Sequence, residues 1–149
     1  MKLVLLELNS AAPSERSELV AFVNSNYPSE FPVQESSIIS GKMTFFWAID
    51  ATTRERVGVT AYMSKTPFLV ETIKTVIDPK HRRQGLGSVL SQLIEDEVRR
   101  RGFKKIMTTI YTSNLPMIFI KLKQGYRFEG FHPSHEKPGL DEYSLGKLI

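Results

Sequence analysis

The segment Arg82-Arg83-Gln84-Gly85-Leu86-Gly87 is the most informative part of this 149-residue chain. Before it runs the β-branched segment Thr72-Ile73-Lys74-Thr75-Val76-Ile77, which Pro79 closes because proline cannot donate to a sheet ladder. After it, apolar residues recur at helical spacing, namely Leu86, Val89, Leu90, Leu93, Ile94 and Val98. The predicted order is therefore a strand, a basic loop with two glycines, and an amphipathic helix.

A loop of this kind is suited to a pyrophosphate group. The first N–H groups of a helix have no intrahelical acceptor, and the helix dipole adds partial positive charge there. Gly85 and Gly87 allow a close approach because glycine has no Cβ, and Arg82 and Arg83 add forked donors. The spacing matches neither a P-loop nor a dinucleotide fingerprint. The segment predicts another type of pyrophosphate cradle, and a loop whose arginines only face water is the alternative.

The pattern Arg82-x-x-Gly85-x-Gly87 after a strand resembles the acetyl-CoA-binding signature of the GNAT superfamily of N-acetyltransferases. The likeness runs from about Thr44 to Phe131, and Gly58 matches a Val-Gly pair that is common in the family's third strand. A later helical motif of the family is matched at Asn114, Lys123, Gly125 and Tyr126. Two residues depart from that motif: Met117 replaces a small residue, and Lys121 stands where a tyrosine is usual.

The resemblance implies the GNAT fold, an α/β (α+β) domain spanning residues 1–149. Its central sheet is mixed and mostly antiparallel, with strands 4 and 5 splayed apart and helices on its faces. The sequence pattern agrees with this order. Strands are predicted at 2–8, 44–50, 56–65, 69–77, 105–111, 126–131 and 141–148. Helices are predicted from Pro13, at 85–101 and at 114–124, with a weakly helical stretch to about Ser40 and a loop at 27–32.

The resemblance also implies that acetyl-CoA binds as co-substrate, and it implies no metal. The pantetheine arm is expected to pair with the backbone of Val76 and Ile77, as an added strand would. The pyrophosphate is expected on the amides of residues 83–88, that is Arg83, Gln84, Gly85, Leu86, Gly87 and Ser88, beside Arg82. Asn114 is expected near the thiol end, and capping of the following helix is its second role. Lys121 is expected beside the thiol, and a solvated lysine on an amphipathic helix is the alternative.

Glu71 is the candidate general base. It precedes Arg82 by the spacing at which the histone-acetyltransferase branch of the family places a catalytic glutamate. Strand alternation puts Glu71, Ile73, Thr75 and Ile77 on one face, and a surface charge at the strand end is the alternative. The implied reaction moves an acetyl group from acetyl-CoA to a primary amine by direct attack in a ternary complex. The alternative function is a module that binds acyl-CoA with little or no transfer.

Charge and composition limit the classes of ligand and partner that the sequence predicts. The net charge is +4, which suits a polyanion such as coenzyme A. Nucleic acid is disfavoured, because Arg99, Arg100 and Arg101 follow three acidic residues at i,i+4 spacing and pair within the helix. The chain has no cysteine, so thiolate metal sites and disulfides are excluded, and its three histidines form no metal pattern. His132 and His135 are interpreted as solvated loop residues, and a position facing a site is the alternative.

The N-terminal apolar run is too short for a signal peptide, and no run approaches the ~20 residues of a membrane span. We therefore expect a soluble cytoplasmic protein without a membrane partner. The expected partner is a small-molecule or peptide amine, and the resemblance leaves a homodimer open. The acceptor itself has no code in the sequence: polyamine, aminoglycoside, amino acid, lysine side chain and protein N-terminus all stay open.

Overall fold

The fold is known from a computed structural model that describes residues 1–27 and 31–149. The predicted elements are present, with bounds that differ by a residue or two at some ends. The loop predicted at 27–32 lies partly outside the described residues. In chain order the elements are β1 (Leu3–Glu7), α1 (Pro13–Asn26), α2 (Glu35–Ile39), β2 (Thr44–Asp50), β3 (Arg56–Ser64), β4 (Leu69–Ile77), a 3₁₀ turn (Pro79–His81), α3 (Leu86–Arg100), β5 (Lys105–Tyr111), α4 (Leu115–Lys123), β6 (Arg127–His132) and β7 (Glu142–Leu148).

The strands of the described residues form one sheet in the order β1-β2-β3-β4-β5-β7-β6. All neighbours are antiparallel except β4 and β5, which are parallel. The β4–β5 ladder covers only Leu69–Glu71 against Lys105–Met107, and the two strands diverge beyond it. The mixed, mostly antiparallel sheet with splayed strands 4 and 5 is thereby confirmed.

Two helical layers cover the sheet. On one face, Leu19 and Val23 of α1 pack with Trp47 and Val59 of the sheet. On the other, Ile94 and Val98 of α3 and Ile118 of α4 pack with Ile106 and Leu145. The apolar residues of α3 that recur at helical spacing, except the exposed Val89, are thus its sheet-facing stripe.

β4 contains a bulge that changes which residues share a face. Val59 pairs with Val76, whereas Ala61 pairs with Ile73, so β4 has one more residue than β3 over this interval. Lys74 lies there with a φ of 51°, in the left-handed region. Ile73 packs in the α1 cluster, but Ile77 packs with Leu86 and Leu90 of α3. The expectation that Glu71, Ile73, Thr75 and Ile77 share one face is therefore wrong, because the extra residue reverses the alternation.

The basic cluster at the end of α3 pairs within its own helix, as the sequence predicts. Arg99 contacts Glu95 at 2.7 Å, and both Arg100 and Arg101 contact Glu97 at 2.6 Å. Gly102 ends the helix at a φ of 97°. Within residues 1–27 and 31–149, none of the helices is long and apolar enough to cross a membrane.

Candidate active site

The gap between the splayed strands opens into a groove of about 800 Å³. Its walls come from the end of β4, the N-terminal turn of α3 and one side of α4. Most residues that the sequence singles out for cofactor binding line it: Val76, Ile77, Arg82, Arg83, Gly85, Leu86, Gly87, Ser88 and Asn114. Gln84 lies in the same loop without lining the groove, and Lys121 lies outside it.

The loop before α3 has the backbone shape of an anion cradle. Arg83 and Gly85 are both left-handed, with φ of 61° and 75°, and Gly85 is the N-cap of α3. Gly85 has no side chain to cap the helix, so the amides of the first turn keep their donors for another partner. A Cβ built on Gly85 meets no protein atom within 4 Å. The space beside this turn can therefore accept a phosphate group.

Arg82 braces this loop against the neighbouring elements. Its Nε donates to the carbonyl of Ile77 at 3.0 Å, and its Nη2 donates to the carbonyl of Asn26 at 3.3 Å. The side chain therefore ties the loop to the end of β4 and the end of α1. Its charge stays beside the groove, which suits a pyrophosphate.

One edge of β4 faces the groove without a strand partner. Val76 and Ile77 pair with β3, while the β4–β5 ladder has already ended at Glu71. An extended ligand can therefore add to this edge through backbone hydrogen bonds. Asn114 stands across the gap, and its Oδ1 accepts a hydrogen bond from the amide of Met117 at 3.4 Å. Its predicted capping role is confirmed, and the residue lines the groove as well.

A second cavity of about 390 Å³ adjoins the groove on the side of α1 and β7. Five residues line both spaces: Tyr27, Thr75, Tyr111, Asn114 and Met117. Glu71 borders only the second cavity, is 9% exposed, and forms an ion pair with Lys65 at 2.7 Å. The alternative of a surface charge at the strand end is thus wrong for Glu71. Glu71 instead lines the second cavity, near the start of the strand whose far end borders the groove, and its role as general base stays a prediction.

Two further carboxylates line this cavity that the sequence did not suggest. Glu136 accepts a hydrogen bond from the Tyr111 hydroxyl at 2.6 Å, and burial together with this bond raises the pKa of Tyr111. Glu142 is 3% exposed, and burial, followed by the nearby Glu136, raises its pKa. His135 also lines the cavity although its side chain is half exposed, so its loop position does not keep it away from the site.

Lys121 is buried between α3 and α4, where it is 4% exposed. Its Nζ donates to Ser91 Oγ at 2.6 Å and lies 4.6 Å from the centroid of the Tyr126 ring. Ser91 in turn donates to Gln124 Oε1 at 2.7 Å, and Gln124 Nε2 donates to the carbonyl of Ser88 at 3.0 Å. Burial lowers the pKa of Lys121 to about 8. The alternative of a solvated lysine is therefore wrong, and Lys121 is instead one of the residues that line the second cavity.

In the part of the chain that the structure describes, no group of three or more His, Cys, Asp or Glu side chains is arranged to hold a metal ion.

Several solved structures share this fold. An IAA acetyltransferase from Bacillus cereus is 15% identical, with 99% of this chain and 100% of that chain covered at a TM-score of 0.75. A GNAT family acetyltransferase from Elizabethkingia anophelis with acetyl-CoA bound is 13% identical, with 99% and 98% covered at 0.77. Mutant forms of the spermidine/spermine N-acetyltransferase from Vibrio cholerae are 14% identical, with 98% and 93% covered at 0.79.

None of the curated proteins matches this sequence. A family model does match it: the model of the acetyltransferase (GNAT) family covers residues 14–126, most of the chain. The matched region contains the groove, the loop before α3 and the Asn114 helix, which are the parts whose geometry suits an acyl-CoA. The chain belongs to the GNAT family of acetyltransferases.

Proposed function

We propose that this protein transfers an acetyl group from acetyl-CoA to a primary amine by direct attack in a ternary complex. The observation that supports this most directly is the meeting of two cavities at the gap between β4 and β5. The groove suits acetyl-CoA, and the polar cavity beside it suits an amine. Because Tyr27, Tyr111 and Asn114 line both spaces, two substrates can be held together with their reacting ends at this junction.

In this proposal the amides of residues 83–88, Gln84 included, hold the pyrophosphate together with Arg82 and Arg83. The pantetheine arm lies along the open edge of β4 and pairs with the backbone of Val76 and Ile77. Asn114 contacts the arm near its thiol. The support is the left-handed Gly85, the open space around it, and the unpaired edge of β4.

Acetyl-CoA supplies the acetyl group as a thioester, which the amine nitrogen attacks while the carbon–sulfur bond breaks. The amine arrives protonated, since an alkylamine has a pKa of about 10.4, and must lose a proton before it attacks. We assign that proton to the Glu71 carboxylate, directly or through a water. The thiolate can leave without a tyrosine, because a thiol pKa of about 8.5 makes it a tolerable leaving group. The buried ammonium of Lys121, which lines the second cavity, adds positive charge that stabilises the thiolate.

A module that binds acyl-CoA without efficient transfer is the second candidate. The observation in its favour is that Lys121, at the position of the family's usual acid, directs its ammonium to Ser91 rather than into the groove. It therefore offers the leaving thiolate no direct proton.

One experiment separates the two candidates. Acetyl-CoA is incubated with the protein and a panel of primary amines, thiol release is followed, and the acetylated product is identified by mass spectrometry. Transfer predicts release that requires both the protein and an amine. Calorimetric binding of acetyl-CoA without amine-dependent release would favour the binding module. Absence of binding would contradict the site itself.

A further inference from the structure

Acidic and basic side chains are unevenly placed around the second cavity, although the protein as a whole has a net charge of +4. Among the described residues, three carboxylates line it, Glu71, Glu136 and Glu142, and three lysines, Lys65, Lys74 and Lys121. Lys121 donates to Ser91 Oγ at 2.6 Å. Lys65 is engaged by Glu71 at 2.7 Å. Lys74 lies 4.8 Å from the centroid of the Tyr27 ring and donates to the carbonyl of Phe31. The side of the cavity formed by Glu136 and Glu142 is therefore its acidic side.

Glu142 is the feature of this side that its protein surroundings do not explain. It is 3% exposed, yet across residues 1–27 and 31–149 no group donates a hydrogen bond to its carboxylate. The ionisable side chain that faces it is that of His135, whose Nε2 lies 3.7 Å from Oε2, beyond hydrogen-bonding distance. Burial raises the pKa of Glu142, and Glu136 adds to this shift while His135 opposes it. A cation placed in the cavity would supply the missing partner.

Glu136 is held in position beside it. The segment that carries Glu136 is closed by two hydrogen bonds, from the amide of Ser134 to Asp141 Oδ1 at 2.8 Å and from the amide of Gly139 to Ser134 Oγ at 3.0 Å. The Tyr111 hydroxyl fixes the Glu136 carboxylate from the other side. A second acceptor thus stands near Glu142, and burial, followed by the two carboxylates, raises the pKa of Tyr27.

The amine that reacts cannot be the cation that these carboxylates hold, because it must be neutral when it attacks. We propose that the acceptor is a small amine with a second positive charge, and that Glu142 and Glu136 bind this second charge while the first amine reacts at the junction. The proposal rests on the proposed transferase function. The volume of about 390 Å³ suits a small molecule rather than a folded protein partner.

Three acceptors of equal chain length test the proposal, since they differ only in the charge at the far end: putrescine (positive), butylamine (neutral) and γ-aminobutyrate (negative). At saturating acetyl-CoA, kcat/KM should fall in that order, with putrescine about 10–100-fold above butylamine, the range of a hydrogen-bonded charge pair. Glu142→Gln keeps the shape of the side chain and should bring the putrescine-to-butylamine ratio close to one. Glu136→Lys should move the preference toward γ-aminobutyrate. Glu35→Gln, an exposed glutamate on α2, is the matched control and should keep the wild-type ratio.

A binding measurement makes the outcome independent of turnover. Calorimetry in the presence of coenzyme A should detect putrescine binding that Glu142→Gln weakens by the same factor. A ratio near one in the wild type, or a ratio that Glu142→Gln and Glu136→Lys leave unchanged, would overturn the proposal. If no amine releases thiol, the proposed function fails; the calorimetry then still supports or overturns the cation site.

Discussion

Replacing Lys121 with methionine tests the buried network between α3 and α4 through the pH dependence of stability. The ammonium of Lys121 is almost fully buried and has one hydrogen-bond partner, Ser91 Oγ. Burial lowers its pKa from 10.5 to about 8, Glu95 opposes this shift, and Lys147 adds to it. Methionine has a similar length and carries no charge, so the variant removes the titrating group and keeps most of the packing.

The size of the effect follows from the difference in pKa between the two states. Between about pH 8 and pH 10.5 the unfolded chain binds more protons at this lysine than the folded protein does. The free energy of unfolding should therefore rise with pH in this window. The reason is that the free-energy cost of burying this lysine falls as its ammonium loses a proton. From about pH 7 to about pH 9.5 the contribution of this single group amounts to about 2 kcal/mol.

The assay is urea unfolding of wild type and Lys121→Met over that pH range. The difference in unfolding free energy, wild type minus variant, should rise by about 2 kcal/mol, since the other titrating groups are common to both proteins. Lys104→Met removes an exposed lysine and controls for the loss of a charge. A difference that is flat, or that falls with pH, would refute the view that Lys121 is buried as an ammonium.

Gly85→Glu should weaken acetyl-CoA binding about tenfold or more in calorimetry, because a carboxylate would occupy the space left for a phosphate. Gly41→Glu is the matched control, since Gly41 is also left-handed with equally open surroundings, and equal affinity in both variants would contradict the cradle. Glu71→Gln should lower kcat by about 10²–10⁴-fold and remove the acidic limb of the kcat/KM profile, and an unchanged profile would exclude Glu71 as the base. Gly58→Ala should destabilise the fold by about 1–3 kcal/mol in urea unfolding, because its Cβ would lie 2.5 Å from the Val76 carbonyl. A smaller loss would mean that β3 and β4 can shift apart there.

The elements of the fold can be predicted because their signals are local. The bounds of β2, β4 and β5 agree with prediction, since each is a β-branched or aromatic run that ends at polar or turn-forming residues. The bulge in β4 could not be predicted in the same way. A lysine at a φ of 51° has no sequence signature, and the alternation rule assumes that no residue is inserted. The face assignment of Ile77 failed for this reason.

The loop before α3 and the second cavity also differ in how far they can be predicted from the sequence. The loop before α3, which we propose binds acetyl-CoA, is part of one contiguous strand–loop–helix unit, so six residues and their flanks are enough to indicate it. The second cavity is assembled from distant segments: Glu71 from β4, Glu136 from the β6–β7 link and Glu142 from β7. The β4–β5 and β5–β7 registers, which set Glu71 opposite Met107 and Tyr111 opposite Glu142, help to bring them together, and such registers cannot be read from one sequence. Lys121 could be located by the family motif, but its hydrogen-bond partner Ser91 lies on another helix, α3.

The bulge explains how one strand serves both cavities. Before it, Ile73 packs toward α1, and after it Ile77 packs beneath the first turns of α3, next to the acetyl-CoA loop. Without the extra residue Val76 and Ile77 would exchange faces, so Val76 would leave the α1 cluster and Ile77 would leave the α3 cluster. The left-handed Lys74 costs about 1–2 kcal/mol, so the packing on both sides offsets its strain. That strain is adjacent to Thr75, which lines both cavities, and strained backbone persists where a site requires it. The bulge therefore lies where the two cavities meet, which in the proposed function is between acetyl-CoA and the acceptor amine.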